Sequence, residues 1–394
     1  MTNSLQTHLL FSQIKSQIPN SCLLSGVSRA LLVDMECGPL NETMRGPLGS
    51  LFTETQYVMD VYGAGKHKII LYATSMATIA QFVSFIIAQT LASYNSLPCT
   101  LLSCRVFIHQ GNNFAHGHHV YGPQYRAKFE ESLRKSIEHC DSLQTFFVLH
   151  SLGGGTGSGV GTYIVSMLED LYPDVYRFST CVFPSEDDDV VTSPYNAILA
   201  SRKLSDHADC IIPLDNHALQ DFANLENSKK AKQQEDNPNT LASDKKELSR
   251  STGFNDMNNV AGRMLCHLTS SSRFHGEMNV DMNEICTNLV PFPKLQFLTT
   301  CLSPQRPINS RGSMFSNRGD SSRTALQRAF GDLSNKVSYL SAADPFSSTA
   351  VSLASAFLAR GNVQLTDFIT CVDSARVNMR FPRWNPDATK IGIT

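Results

Sequence analysis

The chain has 394 residues, 42% of them hydrophobic and 17% charged, with a formal net charge of −2. That length and apolar content allow a sizeable core, divided between two domains, and the near-neutral charge gives no electrostatic footprint for nucleic acid. Its 11 cysteines lack CxxC or CxH spacing, which argues against a zinc ribbon or a disulfide framework and suits a reduced, cytoplasmic protein.

Residues 1–28 are weakly patterned and receive no function; they lack the basic start, apolar stretch and cleavage site of a secretory signal. From Arg29 the text changes. Ala30-Leu31-Leu32-Val33 reads as a strand running into Asp34-Met35-Glu36-Cys37-Gly38-Pro39. The carboxylates of Asp34 and Glu36 then sit on a loop at a strand's carboxyl end, where open α/β sheets bind ligands. An ordinary acidic turn is the plainer reading.

No charged residue lies between Lys68 and Arg105. Residues 69–91 are long enough to cross a bilayer, but Thr74, Ser75, Thr78, Gln81, Ser84, Gln89 and Thr90 weaken a membrane reading. Residues 66–110 read instead as an apolar insertion. Next come Gly111-Asn112-Asn113-Phe114-Ala115-His116-Gly117-His118-His119. Three histidines so close in one turn cannot easily face a single ion, so a loop lying over phosphates is preferred to a metal site. Tyr125 to Gln144 has the spacing of an amphipathic helix, with Phe129, Leu133 and Ile137 on one face.

Thr145 to Leu149 reads as a buried strand, and Val160, Tyr163, Ile164, Met167, Leu168 and Leu171 fall at helical spacing. Between them lies His150-Ser151-Leu152-Gly153-Gly154-Gly155-Thr156-Gly157-Ser158-Gly159. A glycine-rich strand-to-helix junction exposes backbone N–H groups at the positive end of a helix, which is an anion cradle. Gly159 is followed by Val160 rather than Lys, so this is not a Walker loop, and a dinucleotide fingerprint fits poorly.

Tyr176 to Phe183 gives the next strand, implying a parallel strand-helix-strand unit. The acidic segment 184–196 after it offers Asp189 as an acceptor for ribose hydroxyls, against the plainer reading of a solvated loop. Cys210 to Asp215 is a further strand, followed by Asn216, whose amide both donates and accepts. Residues 225–253 have a disordered composition without aromatics. Phe254 then opens a helix that buries Met257, Val260, Ala261, Met264, Leu265 and Leu268. Phe254 and Asn258 near its start are suited to stacking on and hydrogen-bonding a base, or are simply surface residues. Asp281 and Glu284 share one face of the helix that Pro291 stops, a pattern that ordinarily serves solubility. Gln296 to Leu302 reads as a strand opening a second domain, with helices from Thr324 to Phe330 and around Gln364 to Ala375, and strand-like Ala350 to Ala359.

Gly153 to Gly159 resembles the GGGTGSG signature of the tubulin superfamily, and the similarity extends from Arg29 to Thr394 apart from two insertions. The resemblance implies an α/β fold: a tubulin-type GTPase domain with a parallel sheet and nucleotide loops over 29–224, interrupted by the apolar insertion 66–110. A disordered insertion follows at 225–253, then a core helix at 254–272 and a truncated α/β intermediate domain at 273–394. It implies GTP or GDP with Mg2+ as ligands. Gly153, Gly154, Gly155, Thr156, Gly157 and Ser158 would hold phosphates, as would Asn112 and Asn113. Asp189 would meet the ribose, although Ser193 stands where most members of the family carry Glu. Asn216, Phe254 and Asn258 would meet the guanine, and Asp34 and Glu36 the metal. Glu284, with Asp281, would act on the nucleotide of the next subunit, giving GTPase activity only on assembly.

Thr192-Ser193-Pro194-Tyr195-Asn196, His207-Ala208-Asp209-Cys210, the polar insertion after Phe222 and Arg360-Gly361-Asn362-Val363-Gln364 resemble the branch of the family found at centrioles, basal bodies and centrosomes. Its partners are other tubulins or centriolar proteins. The family's first strand and phosphate loop have no counterpart in 1–28, which leads us to expect a gap in the middle of the sheet. A freestanding GTP hydrolase, a truncated product that binds no nucleotide, and a protein anchored in a membrane by 69–91 are the rival readings.

Overall fold

The computed structural model describes residues 30–34, 57–59, 69–74, 112–138, 140, 143–185, 191–235, 253–272, 274, 276, 278–304, 322–361 and 363–394. A six-stranded sheet runs in the order β2-β1-β3-β4-β5-β6. Its strands are β1 (Ala30–Asp34), β2 (Tyr57–Met59), β3 (Ile69–Thr74), β4 (Thr145–Ser151), β5 (Tyr176–Phe183) and β6 (Cys210–Asp215). The pairs β1–β2, β4–β5 and β5–β6 are parallel. β3 is antiparallel to both its neighbours, with Ile69 opposite Val33 on one side and His150 on the other.

That strand corrects one expectation and goes against one rival reading. The middle of the sheet has no gap, because the start of the apolar segment 66–110 lies between β1 and β4 and pairs its backbone to both. An unpaired N–H or C=O in that position would cost about 1 to 3 kcal/mol. For the same reason, the first six residues of the stretch weighed as a membrane span belong to a sheet, and among the described residues no helix is long and apolar enough to cross a membrane.

Side chains alternate across the sheet with the period of two that a pleat imposes. Phe146, Val148, Cys181 and Ile211 face one layer; Phe147, Phe178, Ile212 and Leu214 face the other. The first layer holds α1 (Gly122–Glu138), α2 (Gly161–Leu171) and α3 (Ser193–His207). α1 starts three residues before and ends six residues before the span Tyr125 to Gln144 that its apolar spacing suggests, and buries Phe129 and Leu133. The second layer holds α4 (Asn216–Glu235), α5 (Gly253–Leu268) and α6 (Met282–Leu289). α5 buries Met257, Val260, Met264 and Leu265, the stripe its sequence announces. Phe129, Phe146, Phe147, Phe178 and Phe222 are fully enclosed, each contributing roughly 1.5 to 3 kcal/mol of transfer free energy.

α4 departs from the sequence reading, since it continues through residues 225–235, where composition suggests disorder. Glu226 is buried on it and pairs with Arg263 of α5 at 2.8 Å. That tertiary ion pair ties the start of the polar segment to α5.

A smaller unit follows. β7 (Ser355–Ala359) and β8 (Thr389–Ile393) pair in parallel around α8 (Leu365–Asn378), and α7 (Ser322–Leu333) packs beside α8. Residues 296–302 form no regular strand. They bridge instead, Leu298 N donating to Ile211 O at 2.8 Å and Leu340 N to Thr300 O at 3.0 Å, so they tie β6 to the second unit.

Candidate functional site

Because β3 is antiparallel to both β1 and β4, β1, β2, β4, β5 and β6 all point the same way. Their carboxyl ends form one edge, carrying Asp34, Gly153 and its loop, the segment after Phe183, and Asn216. β4 and β6 are two strands apart, so Gly153 and Asn216 are separated by about 10 Å. A nucleotide spans that distance between phosphate and base.

The glycine loop is held from beneath. His150, the last but one residue of β4, is buried, with Nδ1 2.8 Å from Gly157 O and Nε2 2.8 Å from Ser179 Oγ. A carbonyl only accepts, so Nδ1 carries the proton and Nε2 accepts from the serine hydroxyl. Burial lowers the His150 pKa to about 4, only partly opposed by the bond to Gly157, and the ring is neutral. Above it the chain turns through Thr156–Val160 in a wide helical turn that leads into α2. A Cβ on Gly157 would meet Ser151 O at 2.0 Å, so no other residue fits that position without moving the loop. Thr156 Oγ1 is buried and has no hydrogen-bond partner among the described residues. A buried hydroxyl beside the free N–H groups of a helix's first turn is what an oxyanion satisfies, so this donor set fits a phosphate.

The Asn112-Asn113 segment packs directly on this loop. Its wide helical turn Gly117–Tyr121 crosses Thr156–Val160 with backbones touching: a Cβ on Gly117 would meet Gly155 O at 2.4 Å, and one on Gly159 would meet Phe114 O at 2.5 Å. The histidines of this segment diverge. His118 is buried with Nδ1 3.3 Å from Gly159 O and 3.2 Å from Thr162 Oγ1, and burial lowers its pKa to about 4. His116 packs edge-on against Tyr121, and His119 is exposed. Asn113 caps the following turn, its side chain accepting from Ala115 N at 2.9 Å.

One side chain that sequence reasoning leaves without a role joins the two segments. Asn196, buried in the first turn of α3, donates from Nδ2 to Asn112 O at 2.7 Å and to Gly153 O at 2.9 Å. Its Oδ1 accepts from Phe114 N at 2.9 Å. Thr192 Oγ1 donates to the same Asn112 carbonyl at 2.8 Å, and Ser193 Oγ to Gly153 O at 3.3 Å. Ser193 is therefore turned onto the glycine loop. No local pattern marks Asn196, because its partners lie 43, 82 and 84 residues away in the chain.

The remaining expected residues divide. Asn216 is the first residue of α4, at the carboxyl edge and half-buried. Asn258 is exposed on α5. Its neighbour Asp256 accepts from Asn227 Nδ2 at 3.0 Å, which ties the start of α5 to α4. Asp34 ends β1 at the same edge as the glycine loop; its side chain, that of Phe254, and the whole of Glu36 and Asp189 lie outside the described residues.

Asp281 and Glu284 are elsewhere. Asp281 sits at the N-cap of α6 and Glu284 one turn in, exposed and 2.8 Å from Lys390 Nζ on β8. Cys286 of the same helix shares a buried cluster with Cys210, the first residue of β6. α6 thus lies by the amino edge of the sheet, about 17 Å, the length of β6, from the edge that carries Asn216. Lys390 is a second neighbour of Glu284 that the sequence does not single out.

Residues 87–224 match the model of the Tubulin/FtsZ family, GTPase domain, a range that takes in residues 87–110 of the apolar segment. The tubulin epsilon chain of Homo sapiens is 36% identical over 379 residues, a stretch covering 93% of this chain and 66% of that protein. The tubulin epsilon chain of Mus musculus is 36% identical over 372 residues, with the same shares. The tubulin beta-8 chain of Oryza sativa subsp. japonica is 31% identical over 290 residues, 73% of this chain and 49% of that protein. The chain spans 66% of the length of the two epsilon chains, just under two thirds.

Proposed function

The chain belongs to the tubulin family, and from that premise we propose that it binds GTP or GDP with Mg2+ at the carboxyl edge of its sheet and acts as a cytoskeletal protein. The observation that carries the reading is the junction of two segments: 112–117 and 153–158 pack backbone to backbone, share Asn196, and leave the Thr156 hydroxyl without a hydrogen-bond partner among the described residues. The loop from Gly153 to Ser158 would receive the phosphates on the N–H groups it does not use itself, that of Ser158 being given to Gly154 O at 3.2 Å. Asn216, two strands away, would meet the base, and Asp189 the ribose. Phe254 and Asn258, near the start of α5, would also meet the base, as the resemblance implies. Asp34 and Glu36 would hold the magnesium ion, which supplies charge neutralisation at the phosphates when bound.

Hydrolysis, in this reading, occurs between subunits. Glu284 and Asp281 lie beside the edge opposite the glycine loop, so a carboxylate there reaches a nucleotide only on a neighbouring molecule stacked head to tail. That arrangement favours an assembling tubulin over a freestanding hydrolase. Similarity to the two epsilon chains supports assignment to the centriolar branch, with other tubulins or centriolar proteins as partners and the centriole, basal body or centrosome as the place of action.

Analysis of nucleotide released on denaturing the purified chain tests the reading. We expect guanine nucleotide in near-stoichiometric amount; a preparation that is folded, carries none and takes up none on incubation with GTP contradicts it.

A further inference from the structure

An anion site built from backbone needs more than N–H groups. Every loop that offers donors also carries carbonyl oxygens of opposite polarity, and one of these facing a phosphate repels it. In these two segments four carbonyls are engaged on the protein side. Gly157 O receives His150 Nδ1 at 2.8 Å. Gly154 O receives Ser158 N at 3.2 Å and also the Ser158 hydroxyl. Gly153 O receives Asn196 Nδ2 and Ser193 Oγ, and Asn112 O receives Asn196 Nδ2 and Thr192 Oγ1. Asn196 is common to the last two, and its Oδ1 also fixes Phe114 N, the backbone amide two residues after Asn112. It is nearly fully enclosed, at 3% exposure.

We propose that Asn196 is a positioning residue for phosphate binding: it turns the carbonyls of Asn112 and Gly153 away from the anion and fixes the two phosphate segments against each other. Thr192 and Ser193 assist it, each sharing one of the two carbonyls. The proposal rests on the guanine-nucleotide reading of the site. It goes beyond that reading in assigning the organisation of two phosphate segments to one amide on a helix that contributes no backbone to either.

The side chain has the chemistry for the role and its near-isostere does not. Aspartate keeps the acceptor for Phe114 N but offers no N–H to either carbonyl, and it sets a carboxylate oxygen against both. Asn196→Asp is therefore the discriminating variant, with nucleotide dissociation followed by a fluorescent GDP analogue and affinities measured for GDP and GMP. We expect dissociation to accelerate roughly tenfold or more, the equivalent of one to two hydrogen bonds to a charged group. The GDP-to-GMP affinity ratio should fall, because the defect acts on phosphate. A merely structural role would lower both affinities alike, and an unchanged ratio with a lowered melting temperature overturns the proposal. Should Asn196→Asp not fold, Thr192→Val removes one donor to Asn112 O at an exposed position. It should speed GDP release about threefold; release at the unaltered rate overturns the proposal. If the unaltered chain binds neither nucleotide, the guanine-nucleotide reading itself fails and this proposal falls with it.

Discussion

His150 Nδ1 lies 2.8 Å from the carbonyl oxygen of Gly157, tying the end of β4 to the glycine loop that follows it. Burial lowers the pKa of this imidazole from 6.5 to about 4. The folded protein therefore binds fewer protons here than the unfolded chain at any pH between those values. Stability from this site is complete above pH 6.5 and declines as pH falls towards 4. The difference amounts to about 3 kcal/mol by linkage. Chemical denaturation at pH 7.5, 6.0 and 5.0 should show the decline, and His150→Gln should flatten it. An equal decline in the variant assigns the effect to other groups, of which His118, with its pKa lowered in the same direction, is the first to examine.

Gly157 and Gly331 give opposite outcomes for the same substitution. A Cβ at Gly157 would meet Ser151 O at 2.0 Å, whereas one at Gly331 meets nothing within 4 Å. Gly157→Ala should displace the loop and weaken nucleotide binding by roughly tenfold to a hundredfold, the worth of one or more hydrogen bonds to a charged group. Gly331→Ala, in α7, should leave binding unchanged and add up to about 1 kcal/mol of stability through helix propensity. Melting curves and nucleotide titrations of the two variants check both.

Arg177 and Asp209 form an ion pair at 3.0 Å at the amino ends of β5 and β6, with the arginine side chain only 8% exposed. Asp209 also accepts from Arg177 N at 2.8 Å. Burial raises the Asp209 pKa, and the arginine opposes that rise. The carboxylate left by Arg177→Ala is 28% exposed, so the variant should cost less than the roughly 3 to 5 kcal/mol of a fully buried pair. Arg177→Met combined with Asp209→Leu should recover part of the loss, which denaturant titration of the single and double variants measures. Asp209 belongs to a segment that resembles the centriolar branch, and its structural part is this pairing.

Glu284 pairs with Lys390 by the edge opposite the glycine loop. Glu284→Ala should leave the subunit's own GTP affinity unchanged, while GTP turnover on co-assembly with a partner tubulin slows by about a hundredfold or more, the scale of one general acid-base group. A large loss of the subunit's own affinity would count against a role on the neighbouring molecule.

Much of this fold is legible in local pattern. Tyr176–Phe183 and Cys210–Asp215 are short apolar runs bounded by turn residues, and they are strands over those residues. The stripe from Met257 to Leu268 fixes the buried face of α5. The glycine loop is legible because a strand leads in and a helix leads out. What local pattern does not give is pairing over distance. Nothing in Ile69–Thr74 says that it pairs with both Val33 and His150; without charges or polar alternation, the run fits a membrane or an insertion equally well. Nor does local pattern show that Glu226, near the start of residues 225–235, meets Arg263 of another element. β8 is five residues of TKIGI without a strong signal, ordered by its register with β7. Asn196 is hidden for the same reason, as its amide acts on backbone groups brought to it only by the finished fold.

Isothermal titration of the purified chain with GDP, GTP and ATP in the presence and absence of Mg2+ tests the central claim most directly. We predict saturable, one-to-one binding of GDP and GTP, strengthened for GTP by Mg2+, with no binding of ATP at the same concentrations. A folded chain that binds neither guanine nucleotide, or binds ATP equally well, contradicts the account.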